Sequence, residues 1–171
     1  MRKTLAALIG AAATVTMITG AGVASATTGH PASPHRAVTG VEFFQIMTTS
    51  ETSSTSSIIA LGSVFVAGGV DHSGNKTDRV VFPDGTFKIR HFAGHGRQHF
   101  NRRTCLLRIN IHGTYKVRGG TGVYAGISGH GRYRLRIRAV SARNSNGNCS
   151  QSKPPAAFQQ IIKAHGPVTL P

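Results

Sequence analysis

The chain has 171 residues, 39% of them hydrophobic, and carries 20 Lys and Arg against 5 Asp and Glu, a formal net charge of +15. This length allows one domain, and the apolar share is enough for one hydrophobic core, which argues against a wholly disordered chain. The scarcity of acidic residues and the presence of only 2 cysteines exclude a carboxylate-rich calcium site and a zinc-ribbon framework.

Residues 1–26 have the three parts of a secretory signal peptide. Two basic residues follow the initial Met, an uninterrupted run of small and apolar residues spans Leu5 to Ala13, and Ala24-Ser25-Ala26 fits the small-x-small cleavage site. The apolar run is much shorter than the ~20 residues that a membrane-spanning helix needs. We therefore predict cleavage near Ala26, a secreted protein and no transmembrane segment.

Residues 27–39 mix Pro, Ser, Thr and His without periodicity, which is typical of a flexible leader. The folded domain is therefore placed at residues 40–171. Because export brings the chain into an oxidising compartment, Cys105 and Cys149 are predicted to form a disulfide rather than to remain free thiols.

Beyond Gly40 the sequence shows the alternation of half-buried strands and no sustained helical period, which predicts an all-β domain. Residues 82–85, Phe-Pro-Asp-Gly, are typical of a tight turn that joins two strands in a hairpin. Residues 48–57, rich in Ser and Thr, are predicted to be a solvated loop. Seven strands are predicted, at Val41–Thr48, Ile58–Ala67, Arg79–Phe82, Thr86–Phe92, Cys105–Arg118, Arg132–Ser141 and Ala157–Thr169.

The clearest alternation lies in the strands at Cys105–Arg118 and Arg132–Ser141. Because successive side chains of a strand point to opposite sides of a sheet, one face of each strand is apolar and the other is polar and largely basic. The apolar faces contain Leu107, Ile109, Ile111, Tyr115 and Val117 in the first strand and Tyr133, Leu135, Ile137 and Ala139 in the second. The opposite faces contain Arg108, Asn110, His112, Thr114, Lys116 and Arg118 in the first strand and Arg132, Arg134, Arg136 and Arg138 in the second.

The same two strands also bear on the cysteines. If they are antiparallel neighbours joined by the Gly-rich segment between them, Arg118 should lie opposite Gly131. Cys105 would then face the neighbourhood of Asn144, and Cys149 lies in the polar loop just beyond. The pairing thus predicts the disulfide independently of the compartment.

The Gly-rich segment at residues 119–131 reads GGTGVYAGISGHG. Together with VFVAGGVDHSGN, FPDGTFKIRH and AFQQII, it resembles the secreted actinobacterial proteins of the allene oxide cyclase barrel-like group, whose wider relatives include plant allene oxide cyclases and dirigent proteins. The resemblance covers residues 60–168. It implies a closed eight-stranded antiparallel β-barrel with a central cavity, and the seven predicted strands plus the Gly-rich segment are compatible with eight.

In the plant relatives the cavity cyclises a fatty-acid epoxide or orients phenolic radicals. The resemblance therefore implies that the lumen binds a small apolar or phenolic molecule, with cyclase-like, isomerase-like or dirigent-like activity and no cofactor. No catalytic residue of the plant enzymes can be matched to a position of this chain, so whether it is an enzyme stays open. The predicted ligand contacts are Tyr115, Tyr133, Leu135, Ile137 and His91.

Glu42 and His91 are the two candidates for an acid or base in the lumen, because each shares a strand face with apolar residues. For Glu42 the favoured interpretation is an outward side chain paired with a surface arginine. For His91 a hydrogen-bonded core histidine is favoured over a general base or a ligand contact.

The basic strand faces predict an anion-binding surface, formed by Arg132, Arg134, Arg136, Arg138, Lys116 and Arg118. This surface supports an alternative function, that of a non-enzymatic cell-envelope protein that binds anionic polymers. A simple solvated outer face is an equally favoured interpretation. Nucleic acid is disfavoured as a partner, because Tyr115 and Tyr133 point away from the arginines and cannot stack bases beside them.

His91, His95 and His99 are spaced by four residues, a spacing that can ligate a metal when one helix or loop gathers the rings. The segment is too rich in glycine for a helix and has no carboxylate or cysteine, so we predict a basic surface loop and no metal site. The plant relatives form dimers and trimers, and homo-oligomerisation stays open for this chain.

Overall fold

A computed structural model describes residues 36–150 and 152–171, and the structural statements that follow concern these residues. They form eight β-strands and one 3-10 turn, at Gly122–Tyr124. The strands are β1 (Val38–Thr48), β2 (Thr55–Gly62), β3 (Val66–His72), β4 (Thr77–Phe82), β5 (Gly85–Asn101), β6 (Leu106–Gly120), β7 (Ser128–Ser141) and β8 (Pro155–Leu170).

The eight strands form a ring of antiparallel pairs. Each strand is hydrogen-bonded to the next one along the chain, and β8 returns to pair with β1 from Val38 opposite Leu170 to Thr48 opposite Gln160. Ring closure satisfies the backbone groups that an open sheet would leave free at its edges. The prediction of an all-β domain with eight antiparallel strands is confirmed.

The interior of the ring is filled at one end by aromatic rings. Six strands and turns contribute to this aromatic cluster, in which the ring centroids of neighbours lie 5.1–6.3 Å apart. The 3-10 turn matters here because it carries a buried tyrosine into the cluster. The cluster consists of Phe44, Phe65, Phe82, Phe87, Tyr115 and Tyr124.

The strand boundaries differ from the predicted ones, and β2 already begins at Thr55, within the predicted loop at residues 48–57. The single strand predicted at Ile58–Ala67 is interrupted by a turn at residues 63–65, so that it contributes to both β2 and β3. The predicted surface loop around His95 and His99 is part of β5, which continues to Asn101 through a bulge. The Gly-rich segment adds no strand of its own: it contains the last residues of β6, the 3-10 turn and the first residues of β7.

The register of β6 against β7 also differs from the prediction. Arg118 lies opposite Ser128, three positions from the predicted Gly131. Residues directly opposite each other project to the same side of a sheet, so the predicted odd offset would have set the arginines of β7 beside the apolar side chains of β6. The observed register places Arg138 opposite Arg108 and Arg134 opposite His112, so the basic faces coincide.

In this register two tyrosines lie opposite glycines, which leave room for the tyrosine rings. Tyr133 lies opposite Gly113 and Tyr115 lies opposite Gly131. A Cβ added at either glycine would overlap the ring of the facing tyrosine, so each ring lies directly over the neighbouring strand. Both rings are therefore held in the interior of the ring of strands.

Cys105 and Cys149 form the predicted disulfide, which closes a sequence separation of 44 residues. It fastens the loop after β7 to the start of β6, and Arg143 in that loop also donates to the Arg103 carbonyl oxygen. The predicted leader boundary is wrong at its end, because Val38 and Thr39 already belong to β1. The predicted signal peptide and residues 27–35 of the leader lie outside the described residues.

Candidate ligand pocket

A pocket of about 270 Å³ opens inside the ring, bounded by Phe44 and Tyr115 of the aromatic cluster. Its walls are mainly apolar, and β1, β5, β6, β7 and β8 all contribute to them. The apolar lining consists of Phe44, Ile46, Ile89, Ala93, Ile111, Tyr115, Tyr133, Leu135, Ile162 and Ala164. A cavity of this kind, apolar with a few polar groups, is typical of sites for small molecules.

Four of the five predicted ligand contacts line this pocket. Tyr115, Tyr133, Leu135 and His91 are in its walls, whereas Ile137 lies farther along β7, half-buried and outside the lining. Alternation along the strands was therefore enough to find the inward face, but not to find where the pocket ends.

Both pocket tyrosines are held in their neutral, hydrogen-bond-donating form. Burial and the charge of Glu42 raise the pKa of Tyr115 far above its usual value. Burial and the charge of Asp78 raise the pKa of Tyr133. A neutral phenol can donate a hydrogen bond to an oxygen of a bound molecule.

One wall of the pocket is polar and was not predicted. Asp71 at the end of β3, Ser73 after it, Asp78 on β4 and His91 on β5 meet there. We call these four residues the polar wall. The antiparallel hairpin of β3 and β4 brings the two aspartates together, because Asp71 is opposite Val80 and Asp78 lies two residues before it.

Asp71 is the most deeply buried member of the polar wall, with 1% of its surface exposed. Its Oδ2 accepts a hydrogen bond from Ser73 Oγ at 3.4 Å, whereas its Oδ1 has no partner among the described residues. Burial raises the pKa of Asp71 from 3.8 to about 7, and the charge of Asp78 adds to this effect, while Ser73 and His91 oppose it. Asp71 therefore exchanges a proton near neutral pH.

Asp78 and His91 form a hydrogen-bonded pair. Asp78 Oδ1 accepts from the Gly74 backbone N–H at 2.9 Å, and Asp78 Oδ2 lies 3.2 Å from His91 Nδ1. His91 Nε2 lies 3.2 Å from the Asn75 carbonyl oxygen, which can only accept, so Nε2 carries a proton. Both ring nitrogens of His91 therefore have a hydrogen-bond partner.

Glu42 contradicts the prediction that it points outward to a surface arginine. The side chain is 0% exposed, and its Oε1 accepts hydrogen bonds from the backbone N–H groups of Val64 at 2.7 Å and Phe65 at 3.0 Å. These two donors compensate one oxygen of the buried carboxylate, whereas Oε2 has no hydrogen-bond partner among the described residues. Gly62 leaves the space that the carboxylate occupies. Glu42 thus holds the turn between β2 and β3, and it does not line the pocket.

Part of the polar wall could have been found from the sequence. Asp78 alternates with Val80 and Phe82, so it shares their inward face. Asp71 gave no such signal, because Gly68 and Gly69 interrupt the pattern of its strand. Their partnership depends on a hairpin whose first strand was only partly predicted.

The outer surface of β5–β8 is strongly basic, as predicted for the strand faces. Arg132, Arg134, Arg136 and Arg138 are all exposed, and the facing strand β8 adds Lys163 and His165. A groove of about 520 Å³ crosses this surface, lined by His95, Gly96, Arg97, Asn110, His112 and Arg134. Lys116 and Arg118 are exposed on β6.

The carboxylates are placed away from this basic face. Glu42, Asp71 and Asp78 are buried inside the ring, and Glu51 and Asp84 lie in loops. Within residues 36–150 and 152–171 the one close contact between a carboxylate and a basic side chain is that of Asp78 with His91. The arginines therefore carry charge that no neighbouring carboxylate neutralises in this part of the chain.

The opposite outer face, on β1–β3, is different in character. It exposes a set of large apolar side chains on the outward sides of these three strands. These are Val41, Phe43, Met47, Ile59, Leu61, Val66 and Val70.

The three spaced histidines do not come together. Each residue of an extended strand advances the chain by about 3.3 Å, so successive members of the set are roughly 13 Å apart along β5. His91 lines the pocket, and His95 lines the outer groove. In the part of the chain that the structure describes, no three His, Cys, Asp or Glu side chains are grouped as metal ligands.

Within the same residues the structure has no helix with the length and apolar character needed to cross a membrane. No family model, curated protein or solved structure matches the chain.

Proposed function

We propose that this is a secreted protein with a closed barrel of the allene oxide cyclase type, and that it binds a small apolar or phenolic molecule in the pocket inside the ring. The observation that carries the proposal is the combination of apolar walls with a small set of converging polar groups. The disulfide agrees with an oxidising compartment.

The pocket's chemistry supports an aromatic or phenolic ligand in particular. Phe44, Tyr115 and Tyr133 offer ring faces and edges to an aromatic body. The polar wall offers acceptors and an exchangeable proton to a single hydroxyl or carbonyl group of the ligand. Such an arrangement is also compatible with the cyclase-like, isomerase-like or dirigent-like activity that the sequence resemblance implies.

Binding can be tested with N-phenyl-1-naphthylamine, an uncharged aromatic probe whose fluorescence rises in apolar surroundings. We expect the purified protein to bind it, and Leu135→Trp to weaken binding by about tenfold or more because the larger ring fills the pocket. Titrations would be excited at a wavelength that Trp does not absorb. Native mass spectrometry of the secreted protein would show whether a ligand is retained.

Arg134→Trp is the matched control, since it introduces the same ring one residue away on the outer side of β7. Its affinity for the probe should equal that of the unchanged protein. Equal affinity in all three proteins, or no binding to any of them, would contradict the proposed pocket function.

A second candidate function is binding of an anionic cell-envelope polymer by the basic face of β5–β8. The observation that favours it is the row of exposed arginines on β7. Glu42, Asp71 and Asp78 are buried inside the ring and do not neutralise this row. Such a surface raises the local concentration of anions. The groove lined by His95, Arg97, His112 and Arg134 would receive the phosphate or carboxylate groups.

Poly(glycerol phosphate) teichoic acid is a suitable probe for this surface. Changing Arg132, Arg134, Arg136 and Arg138 to Ser should weaken binding by about a thousandfold at low ionic strength, since each cation near an anionic surface contributes about 1 kcal/mol. The control with the same change in charge replaces Arg36, Lys76, Arg79 and Lys153, which are exposed outside this face. Equal losses in the two variants would mean that net charge alone binds the polymer, with no dedicated face.

A further inference from the structure

We propose that Asp71 is the acid–base group of a proton-transfer reaction, acting on an uncharged, largely apolar carbonyl compound held in the pocket. The inference rests on the proposed pocket function and adds to it a reaction class, a substrate class and a catalytic residue.

The first support is the availability of the Asp71 carboxyl group. In the polar wall, Asp78 is engaged by the Gly74 N–H and by His91, and both ring nitrogens of His91 are engaged as well. Asp71 Oδ1, in contrast, has no hydrogen-bond partner among the described residues, although Asp71 is 1% exposed and lines the pocket. A buried carboxyl oxygen without a partner is unfavourable. Glu42 Oε2 and the Tyr115 hydroxyl also lack a partner among the described residues, but of the two carboxyl groups only that of Asp71 lines the pocket.

The second support is the set of groups that face Asp71. The ionisable ones that act on its pKa are Asp78 from β4 and His91 from β5, and the pocket is also lined by Tyr115 of β6 and Tyr133 of β7. Burial and Asp78 together bring the pKa of Asp71 to about 7, where a carboxyl group can both take and return a proton. The general base and the general acid can thus be the same group.

The third support is the character of the pocket. Its walls are apolar apart from the polar wall and the uncharged side chain of Gln160, which favours an uncharged substrate over an ionic one. A carboxylate substrate would meet the Asp71 and Asp78 carboxyl groups, and a reaction by proton transfer alone needs no oxidant, reductant or cofactor. Tyr133 supplies a neutral hydroxyl that can donate to the substrate's carbonyl oxygen.

The proposed reaction removes one proton from the substrate and returns one to it. The Asp71 carboxylate takes a proton from the carbon next to the carbonyl group, and the electrons of the broken C–H bond form a C=C bond while the carbonyl π pair moves to oxygen. Tyr133 stabilises that oxygen by a hydrogen bond. Asp71, now neutral, returns a proton to the same carbon or, in a conjugated substrate, to a more distant carbon, which shifts the double bond.

The experiment uses 2-tetralone, a bicyclic ketone with acidic C–H groups, in deuterated buffer. Proton NMR measures how fast its protons next to the carbonyl exchange for deuterium, and shift changes on titration report binding. We expect the protein to accelerate exchange over buffer, with the rate rising as pH increases through about 7. Asp71→Asn should slow the protein-dependent exchange by about a hundredfold.

Asp84→Asn is the matched control, because Asp84 is exposed in the turn between β4 and β5 and outside the pocket. It should exchange 2-tetralone at the unchanged rate. Exchange that is no faster than in buffer, or that survives Asp71→Asn, would overturn the assignment of Asp71. Probe binding by N-phenyl-1-naphthylamine under the same conditions keeps the two proposals apart, since its loss would count against the pocket function itself.

Discussion

Asp71→Asn is expected to stabilise the protein at pH 8 by roughly 2–4 kcal/mol and to change its stability little at pH 4. In the folded protein the pKa of Asp71 is raised from 3.8 to about 7, chiefly by burial. Below pH 4 the carboxyl group is neutral in both the folded and the unfolded chain. Between pH 4 and 7 the unfolded chain loses the proton first, so the wild-type protein becomes less stable as the pH rises.

The asparagine side chain has nearly the same shape and no charge to bury, so the variant lacks this loss of stability. Its carbonyl oxygen can still accept from Ser73. The measurement is the free energy of unfolding from denaturant titrations at several pH values between 4 and 8, with the difference between variant and wild type as the readout. Taking the difference removes the contribution of other titrating groups.

Asp84→Asn again serves as the control, since it makes the same substitution at an exposed turn position and corrects for the general effect of removing one negative charge. If the difference in stability between Asp71→Asn and the wild type were the same at all pH values, the pKa of Asp71 would be the same in the folded and the unfolded chain. That result would contradict the claim that burial raises the pKa of Asp71 in the folded protein.

Loss of the Cys105–Cys149 disulfide is expected to lower the free energy of unfolding by about 4 kcal/mol, through the larger conformational freedom of the unfolded chain. The magnitude follows from the 44-residue separation that the bond closes. The local consequence is release of the loop after β7, which the disulfide and Arg143 hold against the turn between β5 and β6.

The measurement compares denaturant unfolding of the oxidised wild type with that of the double variant Cys105→Ala and Cys149→Ala. Reductant should destabilise the wild type to the level of the variant and should leave the variant unchanged. A double variant as stable as the oxidised protein would show that the disulfide does not restrain the unfolded chain as the loop model requires.

Several features followed from local pattern alone. The alternation in β6 and β7 placed the arginines outside and Tyr115 and Tyr133 inside, and the structure agrees. This works because the direction of each side chain in a strand is set by the backbone of the same strand. The disulfide was predicted for a similar reason, since the partners lie at adjoining ends of one strand pair.

The polar wall could be predicted only in part. Asp78 has a readable alternation with Val80 and Phe82, whereas Asp71 follows two glycines that carry no pattern. Glu42 was predicted on the wrong face because its burial depends on the backbone N–H groups of Val64 and Phe65, which lie in the turn between β2 and β3. Sequence pattern does not report such compensation, because the donors are backbone groups that every residue shares.

By itself, then, the sequence determined the strand class, the inward and outward faces of the long strands, the disulfide and the excess of basic charge. The tertiary structure decided where the aromatic cluster ends, that a pocket remains beyond it, and that Asp71, Asp78 and His91 meet on one wall. The physical reason is the distance along the chain over which each effect acts. Side-chain alternation is a property of one strand, whereas burial and the pKa of Asp71 depend on neighbours that only the antiparallel pairing and closure of the ring bring within a few ångströms.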